Sequence, residues 1–163
     1  MANTDFLEIE RKFLIKDLPN NYKEFDSVKI SQTYLSRPGV PPVLRVRQYG
    51  EQYLLTVKKR DEENPMICGE VEITIEKTEY EALKTMGEGR VIEKTRYYIP
   101  WEGLTVELDI FEEQLSGLIL AEIEFPSKEQ ADRTSPPDWF GEEVTGNIQY
   151  SNNNLAQKGL PRK

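Results

Sequence analysis

The stretch Phe6-Leu7-Glu8-Ile9-Glu10-Arg11-Lys12-Phe13-Leu14 changes character at almost every step. Successive side chains of a β-strand point to opposite faces, so Glu8, Glu10 and Lys12 share one face and Leu7, Ile9 and Phe13 the other. Arg11 falls on the apolar side and is expected to point outward. The same step of two recurs down the chain. Arg45 and Arg47 alternate with Leu44 and Val46, and Thr56 and Lys58 with Leu55 and Val57. Glu70 and Glu72 alternate with Val71 and Ile73, while Lys94 and Arg96 share a face. Glu107 and Asp109 alternate with Val106, Leu108 and Ile110, and Glu122 and Glu124 with Ala121, Ile123 and Phe125.

Period two predicts strands over residues 5–15, 27–36, 42–49, 51–59, 67–76, 91–99, 104–112 and 118–126. Tyr49-Gly50-Glu51, Trp101-Glu102-Gly103 and Ser116-Gly117 mark tight turns, and Pro38-Gly39-Val40-Pro41-Pro42 a stiff surface loop. Short helices are expected from Thr78 to Met86, with Gly87 and Gly89 as stop signals, after Ser127 with Gln130 completing a capping box, and over Asn152 to Lys158. No linker divides the 163 residues, so one domain spans 1–163. Eight antiparallel strands with few helices predict a mainly β fold, a closed barrel or a strongly curved sheet, and closure would leave no exposed edge.

The polar faces are almost purely ionic. Any one such pair reads first as a solvated surface with cross-strand ion pairs. The ensemble is harder to read that way: eight acids and six bases fall on one face of seven strands. If the apolar face is the barrel exterior, covered by the short helices, the charges line the inside. A dry interior could not hold them, because each unpaired buried ion costs several kcal/mol. The interior is therefore wet, or filled by ligands that neutralise both sets. Clustered carboxylates are hard oxygen ligands of the kind Mg²⁺ or Mn²⁺ prefer, and fixed Arg and Lys suit a linear phosphate chain.

The totals narrow the classes. There is no histidine, which removes imidazole bases, His-based triads and His zinc sites. The net charge of −8 argues against a nucleic-acid binder. The lone Cys68 can form no internal disulfide, which fits a reducing cytoplasm, and no apolar run reaches membrane-spanning length. The Met-Ala-Asn-Thr-Asp start lacks the basic and apolar regions of a secretion signal.

Taken in order, Glu8-x-Glu10-x-Lys12, Leu44-Arg45-Val46-Arg47, Thr56-x-Lys58, Glu70-Val71-Glu72, Lys94-x-Arg96-Tyr97, Glu107-x-Asp109 and Ala121-Glu122-Ile123-Glu124-Phe125 resemble the CYTH superfamily of triphosphate tunnel metalloenzymes. Tyr150-Ser151-Asn152 through Leu155-Ala156 resembles its C-terminal segment, with Gln149 where a basic residue is common. The resemblance implies an eight-stranded tunnel that binds a triphosphate and a divalent metal. It implies Glu8, Glu10, Glu122 and Glu124 as principal metal ligands, with Glu70, Glu72, Glu107 and Asp109 supporting a second metal or orienting water. It implies Lys12, Arg45, Arg47, Lys58, Lys94 and Arg96 as the triphosphate cradle, with Arg90 and Lys158 as further candidates. Glu8, Glu10, Lys12 and Asp109 form the expected catalytic group. The expected reaction is metal-dependent hydrolysis of a small-molecule triphosphate, first of all inorganic tripolyphosphate. Nucleoside or thiamine triphosphate hydrolysis, adenylyl cyclisation of the class IV type, non-catalytic polyphosphate sensing and a purely structural barrel are the alternatives.

Overall fold

A computed structural model describes residues 6–87 and 91–162, so Gly89 and Arg90 lie outside the described residues. The strands are β1 (Leu7–Ile15), β2 (Ser27–Tyr34), β3 (Val43–Tyr49), β4 (Gln52–Arg60), β5 (Ile67–Thr74), β6 (Val91–Trp101), β7 (Leu104–Phe111), β8 (Ile119–Glu124) and β9 (Phe140–Glu143). The helices are α1 (Lys77–Lys84), α2 (Lys128–Arg133) and α3 (Asn152–Lys158). The first eight strands lie within a few residues of their expected spans. The ninth was not foreseen, because Phe140-Gly141-Glu142-Glu143 is too short to show a period.

Every recorded strand pairing is antiparallel, in the order β5-β4-β3-β2-β6-β7-β8-β1-β9, and a further β1–β5 pairing closes the first eight strands into a barrel. Closure falls on β1. One edge pairs with β8 from Glu10↔Glu124 to Leu14↔Leu120. The other is divided: Leu7 to Ile9 face β5, and Phe13 to Ile15 face β9. The β6–β7 hairpin needs a turn with positive φ at both central residues, and Glu102 (47°) and Gly103 (77°) provide it.

At α2 the expected cap forms, and α1 and α3 are capped as well. The Ser127 hydroxyl accepts from the Gln130 N–H, Ser151 likewise from Asn154, and Glu76 and Glu79 cap α1 reciprocally. Two apolar clusters hold the fold. One is external: Phe13, Ile99, Leu108, Ala121 and Ile123, on the outward faces, pack with Ala131 of α2 and Phe140 of β9. On β4 and β5, by contrast, Val57, Val71 and Ile73 stay exposed, so the helices cover the barrel only in part.

The second cluster lies on the inward face. Ile92, Phe111 and Leu120 follow the same parity as Lys94, Asp109 and Glu122, and pack with Tyr34, Leu115, Leu118, Val144 and Leu155 of α3. The charged interior therefore gives way to an apolar floor, and the barrel is a cup rather than a uniformly ionic tube. Among the described residues no helix is long and apolar enough to cross a membrane.

Candidate active site

Above this floor lies a cavity of about 580 Å³. Of the residues expected to share it, Glu8, Glu10, Lys12, Arg45, Arg47, Lys58, Glu70, Glu72, Arg96, Glu107, Glu122 and Glu124 line it. The barrel brings them together because each occupies the inward parity of its strand. Lys94 and Asp109 do not reach the cavity surface; they are 1% and 2% exposed and face each other at 2.8 Å.

The cations have carboxylate partners. Lys12 lies 3.3 Å from Glu122, Lys58 3.1 Å from Glu10, and Arg47 3.0 Å from Glu72. Arg45 is less tightly held, 3.7 Å from Glu70 and 3.9 Å from Glu72. Arg96 is fixed most firmly. Its Nε and Nη2 donate to the two oxygens of Asp109 at 2.7 and 2.9 Å, and its Nη1 meets Glu107 at 2.9 Å. Such a two-pronged grip fixes the plane of the guanidinium as well as its charge.

One corner is different. Carboxylate oxygens of Glu8, Glu10 and Glu124 lie within 4.8 Å of one another. Among the described residues neither Glu8 nor Glu124 has a Lys or Arg within 4.0 Å. The electrostatics register the crowding. Burial, a hydrogen bond to Glu70 and the Glu70 charge push Glu8 up to about 9. Burial and then the Glu10 charge raise Glu124. Glu70 takes the other share of the Glu8 proton: despite burial, that bond and Lys58 hold it below its usual range. Burial also carries Glu107 up to about 7 against the pull of Arg96. Glu122 goes the other way, because Lys12, Arg96 and Lys58 outweigh burial and hold it well down. Three hard oxygen donors that repel one another, of which only Glu10 has a cation partner, suit a divalent cation.

Other lining residues fall outside the expected set. Arg60 lies 3.6 Å from Glu10. It continues the Thr56, Lys58 parity of β4, so extending that strand by one residue would have found it. Tyr34 is 2% exposed, and its hydroxyl accepts from Gln32 Nε2 at 2.8 Å. Gly146 to Ile148 and Ser151 to Asn153 close one side of the cavity. No period or charge pattern marks these segments. Gln149 and Lys158 are exposed and outside the lining, and the backbone carbonyl of Tyr150 instead accepts from Lys12 Nζ at 3.3 Å.

Comparison with known proteins agrees with this geometry. Residues 7–160 match the CYTH domain. The chain is 44% identical over 151 residues to an inorganic triphosphatase of Nitrosomonas europaea, covering 91% of this chain and 96% of that one. It is 36% identical over 151 residues to an inorganic triphosphatase of Acetivibrio thermocellus, covering 92% and 93%. The fold superposes on the crystal structure of an inorganic triphosphatase with a TM-score of 0.67 at 41% identity, covering 96% of this chain and 95% of that one.

Proposed function

This chain belongs to the CYTH domain family, and we propose that it hydrolyses inorganic tripolyphosphate to diphosphate and orthophosphate. The observation that carries the reading is one cavity lined both by the Glu8, Glu10 and Glu124 carboxylate cluster and by Arg45, Arg47, Lys58 and Arg96. The 44% identity to an inorganic triphosphatase supports the choice of substrate.

In this reading Glu8, Glu10 and Glu124, with Glu122 behind them, hold the divalent cation, Mg²⁺ or Mn²⁺. That ion supplies Lewis-acid polarisation of phosphate oxygens when bound. Lys12, Arg45, Arg47, Lys58, Arg60 and Arg96 take the anionic oxygens of the chain. Arginine does so as a planar fork and lysine as a point charge. Asp109 holds Arg96 and Lys94 in place from the rear. A water oxygen attacks the terminal phosphorus, and the bridging P–O bond breaks. The electron pair leaves with diphosphate, and the proton passes to an interior carboxylate of the Glu70, Glu72 and Glu107 set. Such chemistry asks a protein mainly for positioning and charge neutralisation, and needs no histidine.

The test is orthophosphate release from tripolyphosphate, ATP and thiamine triphosphate, with Mg²⁺ and Mn²⁺ supplied separately. Tripolyphosphate is expected to give the highest kcat/KM. Preferred turnover of either organic triphosphate would move the substrate assignment, and dominant cyclic AMP formation from ATP would overturn the hydrolase reading.

A further inference from the structure

Most polar side chains on the cavity wall have a partner within the wall. Asn153 of α3 does not use all of its own. It is 4% exposed, it lines the cavity, and its Oδ1 is buried with no hydrogen-bond partner. Its Nδ2 makes one long contact, 3.5 Å to Ser36 Oγ. That Ser36 oxygen already accepts from the Leu44 N–H at 2.9 Å. The Ser36 hydroxyl proton is thus free to be donated, and in this arrangement it finds no use in Asn153.

A half-turn of the carboxamide about its last bond exchanges the two ends. Ser36 O–H then donates to Oδ1, which no longer lacks a partner, and the NH₂ group turns to the side that Oδ1 occupied. The exchange satisfies both protein groups and presents two N–H donors where an unpaired acceptor stood. Donors there have value only if an acceptor comes to meet them, since an unmet buried amide is costly. The same cavity is lined by cations, among them Arg45, which sits opposite Tyr34 in the β2–β3 register. Its buried Nε, like that of Arg47, also lacks a partner. Asn153, Arg45 and Arg47 thus line one cavity, and each has a buried polar atom without a partner, which suits a ligand rich in oxygen acceptors.

We propose that Asn153 is a substrate-binding residue whose carboxamide donates to a phosphoryl oxygen of the triphosphate. This rests on the tripolyphosphatase reading for the identity of the ligand, but not for the contact itself. A neutral donor gives directional grip at the α3 side of the cup, where the exposed Gln149 and Lys158 offer none.

The experiment compares wild type with Asn153→Asp, Asn153→Ala and Asn153→Ser. It measures kcat and KM for tripolyphosphate with Mg²⁺, and equilibrium binding of tripolyphosphate in EDTA, where no turnover occurs. Asn153→Asp keeps the shape but replaces the donors by a negative charge facing a polyanion. It is expected to raise both KM and Kd at least tenfold, with kcat within threefold of wild type. Asn153→Ala is expected to raise them severalfold, and Asn153→Ser, which keeps a donor, by less than Ala. Melting temperatures monitor folding, and if the Asp variant does not fold, the Ala and Ser pair decide. KM and Kd within twofold of wild type in the folded variants overturn the proposal, as does a loss confined to kcat. A wild type that binds tripolyphosphate without cleaving it would sink the hydrolase reading and leave this contact standing or falling on the Kd values alone.

Discussion

The decisive residue is Glu8. A carboxyl held neutral up to about 9 is an inert one, and only a cation can make it worth ionising at neutral pH. The unfolded chain releases this proton near 4.5, whereas the folded protein keeps it to about 9. The stability it contributes to the metal-free protein is therefore full below pH 4.5 and lost as pH rises through about 9. Metal binding reverses the balance, since a ligand must be deprotonated. Mg²⁺ binding at pH 7 is expected to release close to one proton, measurable in weakly buffered solution. Affinity should climb by up to ~10-fold per pH unit between 7 and 9. Binding that is flat with pH and proton-neutral would remove Glu8 from the ligand set. Glu10 and Asp109 separate on the same measurement. Glu10→Gln is expected to cut turnover at least ~100-fold and to raise the Mg²⁺ concentration needed for half-maximal rate, beyond the 10–100-fold typical of outer partners. Asp109→Asn loosens Arg96 and Lys94 instead, so its KM for tripolyphosphate should rise roughly 10-fold while the Mg²⁺ midpoint stays put. A shifted midpoint in Asp109→Asn would make it a metal ligand after all.

At the scale of the element, β1 shows how much a strand can disclose. Glu8, Glu10 and Lys12 were legible as an inward face because parity alone fixes them. Arg11 was legible as outward for the same reason. What it does there was not, because its partners arrive from 120 or more residues away. Its Nη1 donates to the carbonyls of Ala131 and Thr134 at 2.9 and 2.7 Å, where α2 ends. Its Nε and Nη2 grip Glu143 of β9 at 3.1 and 2.6 Å. One side chain thus ties the closing strand to the helix and the extra strand that cover it. Two carbonyls at a helix end and a carboxylate would lose their donor in Arg11→Ala. A loss of ~1–3 kcal/mol is expected, a fall in Tm of roughly 3–10 °C, with kcat/KM for tripolyphosphate within twofold of wild type. A larger effect on catalysis than on Tm would mean that the outward face reaches the chemistry. The ninth strand, the apolar floor and the α3 wall were hidden for a related cause. Ile92, Phe111 and Leu120 have the inward parity, but one apolar residue per strand end cannot be told from a strand running out. Ser151 to Asn153 carry no charge pattern, and only the folded chain places them over the cup.

At the scale of the whole molecule, the acids and bases are each other's provisional ligands. Lys58 rests on Glu10, Arg47 on Glu72 and Lys12 on Glu122, so these interior pairs engage the groups a substrate and a metal would use. A cation drawn to the carboxylates frees the lysines and arginines. A polyphosphate drawn to those frees the carboxylates. The two ligands must then help each other, and thermodynamic linkage makes the help equal in both directions. Diphosphate, the expected product, allows the point to be tested without turnover. Each ligand alone is expected to raise Tm modestly, because each must break internal pairs to bind. Together, at ~100 times their dissociation constants, they should contribute at least ~2.7 kcal/mol, or roughly 5–10 °C for a chain of this size. The joint shift should exceed the sum of the separate ones, and titration should show diphosphate affinity rising with Mg²⁺ by about 5-fold or more. Strict additivity would mean that the two sets of charges do not share their partners. The interior pairs would then be permanent structure, and the catalytic reading would have to find its cradle elsewhere in the barrel.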